Sequence, residues 1–431
     1  MKGIYIYACI VILSISQFSQ AQIMTWKDNI PSSLQPFHNN PQLLANLAQN
    51  RIVIYAHPST KTFIPTATQN PNPNVTFTSS AIVVPVSSDV VANTLGNYEQ
   101  YVGLFPTLKS AKVVEKSGNI TQMKYKVSIP TPIPVLNFNE EIRFQHQFTQ
   151  NSLASIVIDA PIPYGVGKFE WFSLSDQKTL VTLTQWGDLN QPKGFLFRKI
   201  LTAIPEAKLG IPSGTNAFIL ESLRRKLTSD SITNLSAEQL PSPQLNPQQL
   251  ELIAQVSKNA QQPVSLIHPS ANVQYPHGRE SMRFVTTYQY YPQTPQQLQK
   301  WTQPAAYQAL FPRQIKSIKT ADLSNNTQNA EFKISVGLGV ITIPFNFKLN
   351  FKYPTATANA FYANGGDLKY LKGQMQFDAN QTGTLLKMTT AVKIDDQAPF
   401  LLKAMRSLPY HDLLPSVGAN TVFAQKIRKV S

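Results

Sequence analysis

Along residues 122–129 the chain alternates, with Met123, Tyr125, Val127 and Ile129 on one side and Gln122, Lys124, Lys126 and Ser128 on the other. A period of two is the mark of a strand with one dry face and one wet face. The alternation returns at Ala330, Phe332, Ile334 and Val336, set against Glu331, Lys333 and Ser335. Breaks rich in Gly, Pro, Asn and Ser divide residues 109–117, 120–130, 135–148, 153–161, 167–174 and 178–187 into six strand candidates joined by hairpin turns. Before them come a short amphipathic helix over 41–50, a Pro/Asn-rich loop over 66–76, a strand over 76–86, and one helix or two short ones over 87–106. Ser88 or Asp89 opens that helical stretch and Pro106 stops it. Residues 193–227 read as helical, with interruptions at Pro205 and Pro212. A one-sided antiparallel sheet must be covered, and this helical segment is the element of matching length. The pattern therefore predicts a curved sheet gripping a helix, with a cavity between them.

The pattern is written twice. "YVGLFPTLKSAKV" begins at Tyr101 and "YQALFPRQIKSIK" at Tyr307, so that Phe105 and Phe311 are 311 − 105 = 206 positions apart. "NPQLLANLAQ" from Asn40 matches "NPQQLELIAQ" from Asn246, and each leads to a His-Pro-Ser, at His57 and His268. Near the ends, Asn216 matches Asn420, and the second closing helix carries prolines at Pro409 and Pro415. The repeating unit is the size of a domain and not of a solenoid repeat. The expected organisation is a leader over 1–21, a first domain over 22–229, a linker over 230–240 and a second domain over 241–431. Residues 31–228 and 241–431 should form two helix-gripping sheets and not one continuous sheet.

The leader reading rests on Lys2, the apolar run from Ile4 to Ile15 and the small-residue site Ser19-Gln20-Ala21, which together resemble a secretory signal peptide cleaved before Gln22. An exported protein, periplasmic or secreted, is expected. The sole cysteine, Cys9, falls inside that leader, which leaves the mature chain no thiol for a disulfide, a metal or a nucleophile. The net charge is +15, or 15 − 1 = +14 without Lys2. Such a balance raises nucleic acid as a partner, but export and the absence of a recognition motif argue against it. Solubility alone accounts for the charge on one reading; anionic lipid headgroups or acidic glycans are the partners on the other.

A strand, two short helices ending in Tyr-x-x-Leu-Phe-Pro, a six-strand meander and a C-terminal helix resemble the START-like superfamily, also called SRPBCC, across residues 76–227 and 282–430. The superfamily includes polyketide cyclases, coenzyme Q-binding proteins and lipid-transfer domains. The resemblance implies an α+β fold of two tandem helix-grip domains and a deep hydrophobic pocket, and so a class of ligand and not a reaction. The Asn-Pro-Gln and His-Pro-Ser segments lie outside that pattern.

Within the meander, Leu136, Phe138, Ile142, Phe144 and Phe148 share a strand face with Glu140 and His146. At an offset of 207, Glu140 is matched by Phe347 and His146 by Tyr353, which gives the first pocket polar anchors and leaves the second apolar. Tyr125, Phe138, Glu140, Phe144 and His146, and in the second copy Phe332, Phe347, Phe351 and Tyr353, are the candidate ligand contacts. A buried Glu140 would be neutral or paired with a cation or ligand group; otherwise it sits near the pocket mouth or pairs with a residue such as Arg198 or Lys199 on the closing helix. His146 reads either as a hydrogen-bonded core histidine or as a catalyst. Phe105 and Phe311 either pack their helices or reach the pocket, and Trp171 and Trp186 are wall candidates whose face depends on hairpin register. Both long helices end in cations: Arg224, Arg225 and Lys226, then Lys426, Arg428 and Lys429. These complement the helix dipole on one reading and face an anionic membrane on the other. A Gly-rich phosphate loop, a His-Glu-x-x-His and a Gly-x-Ser-x-Gly are all missing from the sequence, so neither cofactor nor metal is expected.

These residues favour an exported carrier of a lipid or other hydrophobic ligand. The alternatives are a cyclase- or dehydratase-like enzyme using Glu140 as general acid or base, and an accessory interaction protein with filled pockets.

Overall fold

The computed structural model describes residues 23–65, 72–129, 138–229, 232–236, 239–275, 278–323, 326–337, 342–395 and 398–431. The leader lies outside the described residues, as do the loop centre at 66–71 and the start of the third meander strand.

The first half contains α1 (Pro41–Ala48), β1 (Ile52–Ala56), the small hairpin β2 (Thr60–Lys61) and β3 (Asn74–Val75), β4 (Thr78–Val84), α2 (Ser88–Gly96) and α3 (Tyr101–Leu104). The meander follows as β5 (Leu108–Ser117), β6 (Ile120–Ile129), β7 (Phe138–Phe148), β8 (Ser152–Asp159), β9 (Gly165–Ser175) and β10 (Lys178–Gly187), closed by α4 (Phe195–Ala203) and α5 (Ala207–Leu227). After β11 (Ile232–Leu235), the second half runs α6 (Pro247–Ala260), β12 (Val264–Tyr275), β13 (Gly278–Tyr291), α7 (Pro295–Leu298) and α8 (Tyr307–Leu310). It ends with β14 (Ile315–Leu323), β15 (Thr327–Gly337), β16 (Thr342–Thr355), β17 (Ala358–Gly366), β18 (Tyr370–Asn380), β19 (Gly383–Lys393), α9 (Phe400–Lys403) and α10 (Leu414–Val430).

Each half is an antiparallel sheet packed on a long helix, as the alternation predicts: α5 lies on β4, β10 and β1, and α10 on β13, β19 and β12. The helical reading needs one correction. Pro205 separates α4 from α5, but Pro212 sits inside α5 without breaking it. Asn216 and its repeat mate Asn420 pin the two helices to their sheets. Ser80 Oγ donates to Asn216 Oδ1 at 2.7 Å, and Thr390 Oγ1 donates to Asn420 Oδ1 at 2.6 Å.

The two sheets are not separate. β1 pairs antiparallel with β12, Ile54 opposite Ser265, and joins both meanders into one ladder. Ser265 is the repeat mate of Ile54, since 265 − 54 = 268 − 57 = 211. The join therefore lies on a pseudo-twofold axis. β1 reads Ile-Val-Ile-Tyr-Ala and is buried throughout, as a strand covered on both faces must be. α5 and α10 cover one face, with Gly210 so near Gly418 and Val422 that an added Cβ would stand 3.2 Å from Val422. α1 and α6 cover the other, placing Leu44, Leu47, Ile253 and Val256 over Val53, Leu266 and Tyr288.

The join also gives the Asn-Pro-Gln and His-Pro-Ser motifs a structural place. Asn40 and Asn246 are helix N-caps followed by Pro at the first helical position, and Asn246 and Gln249 complete a capping box. His57 Nε2 meets Ser79 Oγ at 2.7 Å, which meets Thr184 Oγ1 at 2.7 Å. His268 Nε2 meets Thr286 Oγ1 at 2.7 Å, which meets Thr389 Oγ1 at 2.8 Å. These duplicated His–hydroxyl–hydroxyl chains tie three strands together in each half. Within the expected linker, Ile232–Leu235 form β11, which pairs in parallel with β12.

Candidate functional site

A cavity of about 750 Å³ lies between the first half's sheet and α5, with Gln262 and Pro263 contributed by the second half. Its wall is largely apolar: Ile142 and Phe144 from β7, Leu183 and Trp186 from β10, Phe218 and Ile219 from α5. Among its polar residues are three side chains from adjacent strands that form a hydrogen-bonded chain. Tyr125 Oη lies 2.9 Å from His146 Nε2, and His146 Nδ1 lies 2.7 Å from Ser155 Oγ. Register dictates the contact, since β7 pairs with β8 so that His146 stands opposite Ser155. Tyr98 stacks on the imidazole at 4.7 Å between centroids. Burial lowers the His146 pKa to about 3, so the ring is neutral, accepting from one hydroxyl and donating to the other. Burial also raises the Tyr125 hydroxyl far above its ordinary value.

Of the five first-copy candidates, Tyr125, Phe144 and His146 line the cavity. The Phe138 side chain falls outside the described residues. Glu140 is half-buried near the end of β7, its Oε1 3.8 Å from where a Cβ on Gly194 would stand, and among the described residues it is not part of the cavity wall. The structure thus places Glu140 beside the start of α4, where sequence reading expected an internal anchor or an acid/base. Ser155 is the polar wall residue that sequence reading missed; only the β7–β8 register brings it to His146. Phe105 and Trp186 face the cavity, whereas Trp171 is buried in the core against Phe148 at 5.7 Å.

The second half places aromatic rings where the first has its cavity. Phe332 stacks on Phe347 at 4.8 Å and Phe345 on Phe347 at 6.1 Å, and Phe351 packs tilted against Phe361 at 5.5 Å. Tyr353 Oη donates to Gln328 Oε1. Phe332, Phe347, Phe351 and Tyr353 thus pack with one another and their neighbours, and none of them lines the cavity of the first half. The repeat pairing shifts as well. Phe148 N donates to Asn119 O and Tyr353 N to Asn326 O. Since 326 − 119 = 207 but 353 − 148 = 205, β16 is offset by two residues from the expected match. Glu140 then corresponds to Phe345 and His146 to Phe351. Ser155, opposite His146, corresponds to Phe361, opposite Phe351. Tyr-His-Ser in one half is Phe-Phe-Phe in the other.

Four of the six cations assigned to a membrane face are engaged within the molecule. Glu221, fully buried on α5, accepts from Arg224 Nε at 2.8 Å, Arg225 Nε at 2.9 Å and Arg283 Nη1, across the join, at 2.7 Å. Burial alone would raise the Glu221 pKa, but the hydrogen bonds from Arg224 and Arg283 overcome it and hold the carboxyl well below its ordinary value. Lys426 pairs with Glu206 at 3.2 Å, and Arg428 Nη1 donates to Tyr290 O at 3.4 Å. Lys226 and Lys429 are exposed. Among the described residues no cluster of three or more His, Cys, Asp or Glu could hold a metal ion, and no helix is long and apolar enough to cross a membrane.

No protein-family model and no curated protein matches the sequence. Solved structures similar to this chain include the di-domain ARO/CYC BexL from the BE-7585A biosynthetic pathway, at 10% identity and a TM-score of 0.27, covering 81% of this chain and 97% of that one. The di-domain ARO/CYC StfQ from the steffimycin biosynthetic pathway matches at 10% identity and a TM-score of 0.25, covering 82% of this chain and 99% of that one. A START superfamily protein from Mycobacterium smegmatis matches at 14% identity and a TM-score of 0.28, covering 35% of this chain and 96% of that one.

Proposed function

We propose that this protein is an exported carrier that binds one hydrophobic small molecule or lipid in the cavity of its first half. The observation that carries the reading is the cavity itself. Protein interiors are packed with few voids larger than a water molecule, whereas about 750 Å³ stands open between β5–β10 and α5, within the usual range for ligand pockets. Its apolar wall suits a hydrocarbon skeleton, and the Tyr125–His146–Ser155 chain suits one neutral oxygen of that skeleton. The leader-like N-terminus supports export. The second half, filled by its own rings, buttresses the first through the β1–β12 join.

Enzymatic turnover is the second reading, and the same trio favours it: a neutral imidazole between two hydroxyls is arranged to pass a proton to or from a bound carbonyl. Ser155→Phe tests the binding reading by placing in the first half the residue that occupies the matching position of the second. The wild-type protein should bind an uncharged fluorescent dye saturably, one per chain, and release a co-purified hydrophobic compound in native mass spectrometry. The variant should fold, at a cost of about 1–3 kcal/mol for overpacking, and lose both signals. Equal dye binding by folded variant and wild type would sink the carrier reading. Loss of turnover in Ser155→Ala with ligand binding retained would favour the enzyme.

A further inference from the structure

Beside the main cavity lies a second pocket of about 310 Å³, walled by Asn190, Gln191, Pro192, Arg198, Leu201, Thr202 and Lys208. Asn190 and Lys208 belong to both walls, so the two spaces adjoin. Their chemistry differs. The first is largely apolar; the second holds two cations, Arg198 on α4 and Lys208 on α5, and neither forms an ion pair among the described residues. Among the described residues no carboxylate lines this second pocket, and Asp188 stands on the main cavity's wall. Asp188 accepts from Asn190 N at 2.8 Å, Glu206 is held by Lys426 and Gln314, and Glu140 lies beside Gly194. On the main cavity's wall, Gln185 Nε2 is buried with no hydrogen-bond partner. A buried donor without an acceptor costs its full desolvation, so its presence points to an oxygen that arrives with the ligand. Phe197, one residue before Arg198, reaches the main cavity, so α4 presents an apolar and a cationic side chain to the two adjoining spaces.

We propose that the ligand is an anionic amphiphile, its apolar skeleton in the main cavity and its carboxylate, phosphate or sulfate head in the adjoining pocket between Arg198 and Lys208. The proposal rests on the carrier reading and specifies its ligand class. Cations without ion pairs at an apolar cavity's edge select a charged head over a hydroxyl head on the same chain, because charge-assisted hydrogen bonds are about twice as strong as neutral ones.

Displacement of the uncharged dye phenylnaphthylamine from the full-length protein by hexadecyl phosphate, palmitate and hexadecanol tests it. Both anions should bind at least about tenfold more tightly than the alcohol, the weight of one charged hydrogen bond. The double variant Arg198→Gln, Lys208→Gln should bring the affinities together while its thermal unfolding stays cooperative. Equal affinities in the wild type, or a preference that survives in the double variant, would overturn the proposal while hexadecanol binding left the carrier reading in place. Inorganic phosphate binding as tightly as hexadecyl phosphate in calorimetry would assign the pocket to a free anion and overturn the amphiphile. Absence of dye and hexadecanol binding would overturn the carrier reading itself.

Discussion

The two halves share element order, helix pinning and a His–hydroxyl–hydroxyl chain, yet the polar wall positions of the first half's cavity are aromatic rings in the second. The difference is concentrated on three adjacent strands. Tyr125, His146 and Ser155 stand on the wall of a cavity of about 750 Å³, and the corresponding Phe332, Phe351 and Phe361 stack on their neighbours. Both halves keep a glycine next to the third position, Gly167 opposite Ser155 and Gly373 opposite Phe361. At Gly373 the ring of Phe361 takes the space, coming within 2.6 Å of where a Cβ would stand; at Gly167 the small serine does not reach it, and the nearest atom is Gln185 Cβ at 3.4 Å. Duplication supplied two equal frames, and side-chain volume on one face set which of them holds a cavity.

The largest expected effect comes from emptying the filled half. Phe351 is buried, and Phe351→Ala should destabilise the protein by about 3–5 kcal/mol in urea denaturation, through lost transfer energy and a new void. Phe144→Ala only enlarges an existing cavity and should lose about 1–2 kcal/mol, short of the full void penalty. Equal losses would show that the first cavity is closed in solution. Breaking the join comes next. Arg283→Ala removes the cross-half partner of Glu221 and should lose about 3 kcal/mol, the lower end for a broken buried pair because Arg224 and Arg225 remain. It should also split one unfolding transition into two; a single unshifted transition would show that the β1–β12 ladder alone couples the halves.

Acid sharpens the comparison through charge. Burial, the largest cause in each case, lowers His57 to about 4, His146 to about 3 and His268 to about 3 in the folded state, from an ordinary 6.5. The unfolded chain therefore takes up protons first as pH falls. Stability should be full above about 6.5 and decline below it by up to about 1.4 kcal/mol per pH unit for each histidine. Glu221, held low, adds a further loss as pH falls below its unfolded value of about 4.5. His57 and His268 are repeat mates and His146 belongs to the first half alone, so His146→Phe should remove one of three contributions to the slope between pH 6.5 and about 4. An unchanged slope would show that His146 is protonated while folded. The smallest effect is expected at Glu140, which lies off the cavity wall: Glu140→Gln should change stability and dye binding by no more than about 0.5 kcal/mol. A larger shift in dye affinity would return Glu140 to the ligand.

Periodicity and self-similarity made much of the fold legible. Alternation over 120–129 set the dry face of β6, the Tyr-x-x-Leu-Phe-Pro segments marked the helix-to-strand corner in both copies, and matched segments exposed the duplication. Tyr125, Phe144 and His146 were readable as inward residues because a strand keeps its parity. A shift of two residues preserves parity, so the slip that pairs His146 with Phe351 and not Tyr353 left no trace in the alternation. Glu140 shared that parity too, but how far along a strand a cavity reaches depends on the helix that closes it. The β1–β12 join was beyond local pattern, since strands 211 residues apart pair only when both sheets have formed and each leaves an edge free. For the same reason the basic helix ends could be read as surface charge: the carboxylate that binds Arg283 lies on the other half, 283 − 221 = 62 residues away, and only the tertiary fold brings the two side chains together.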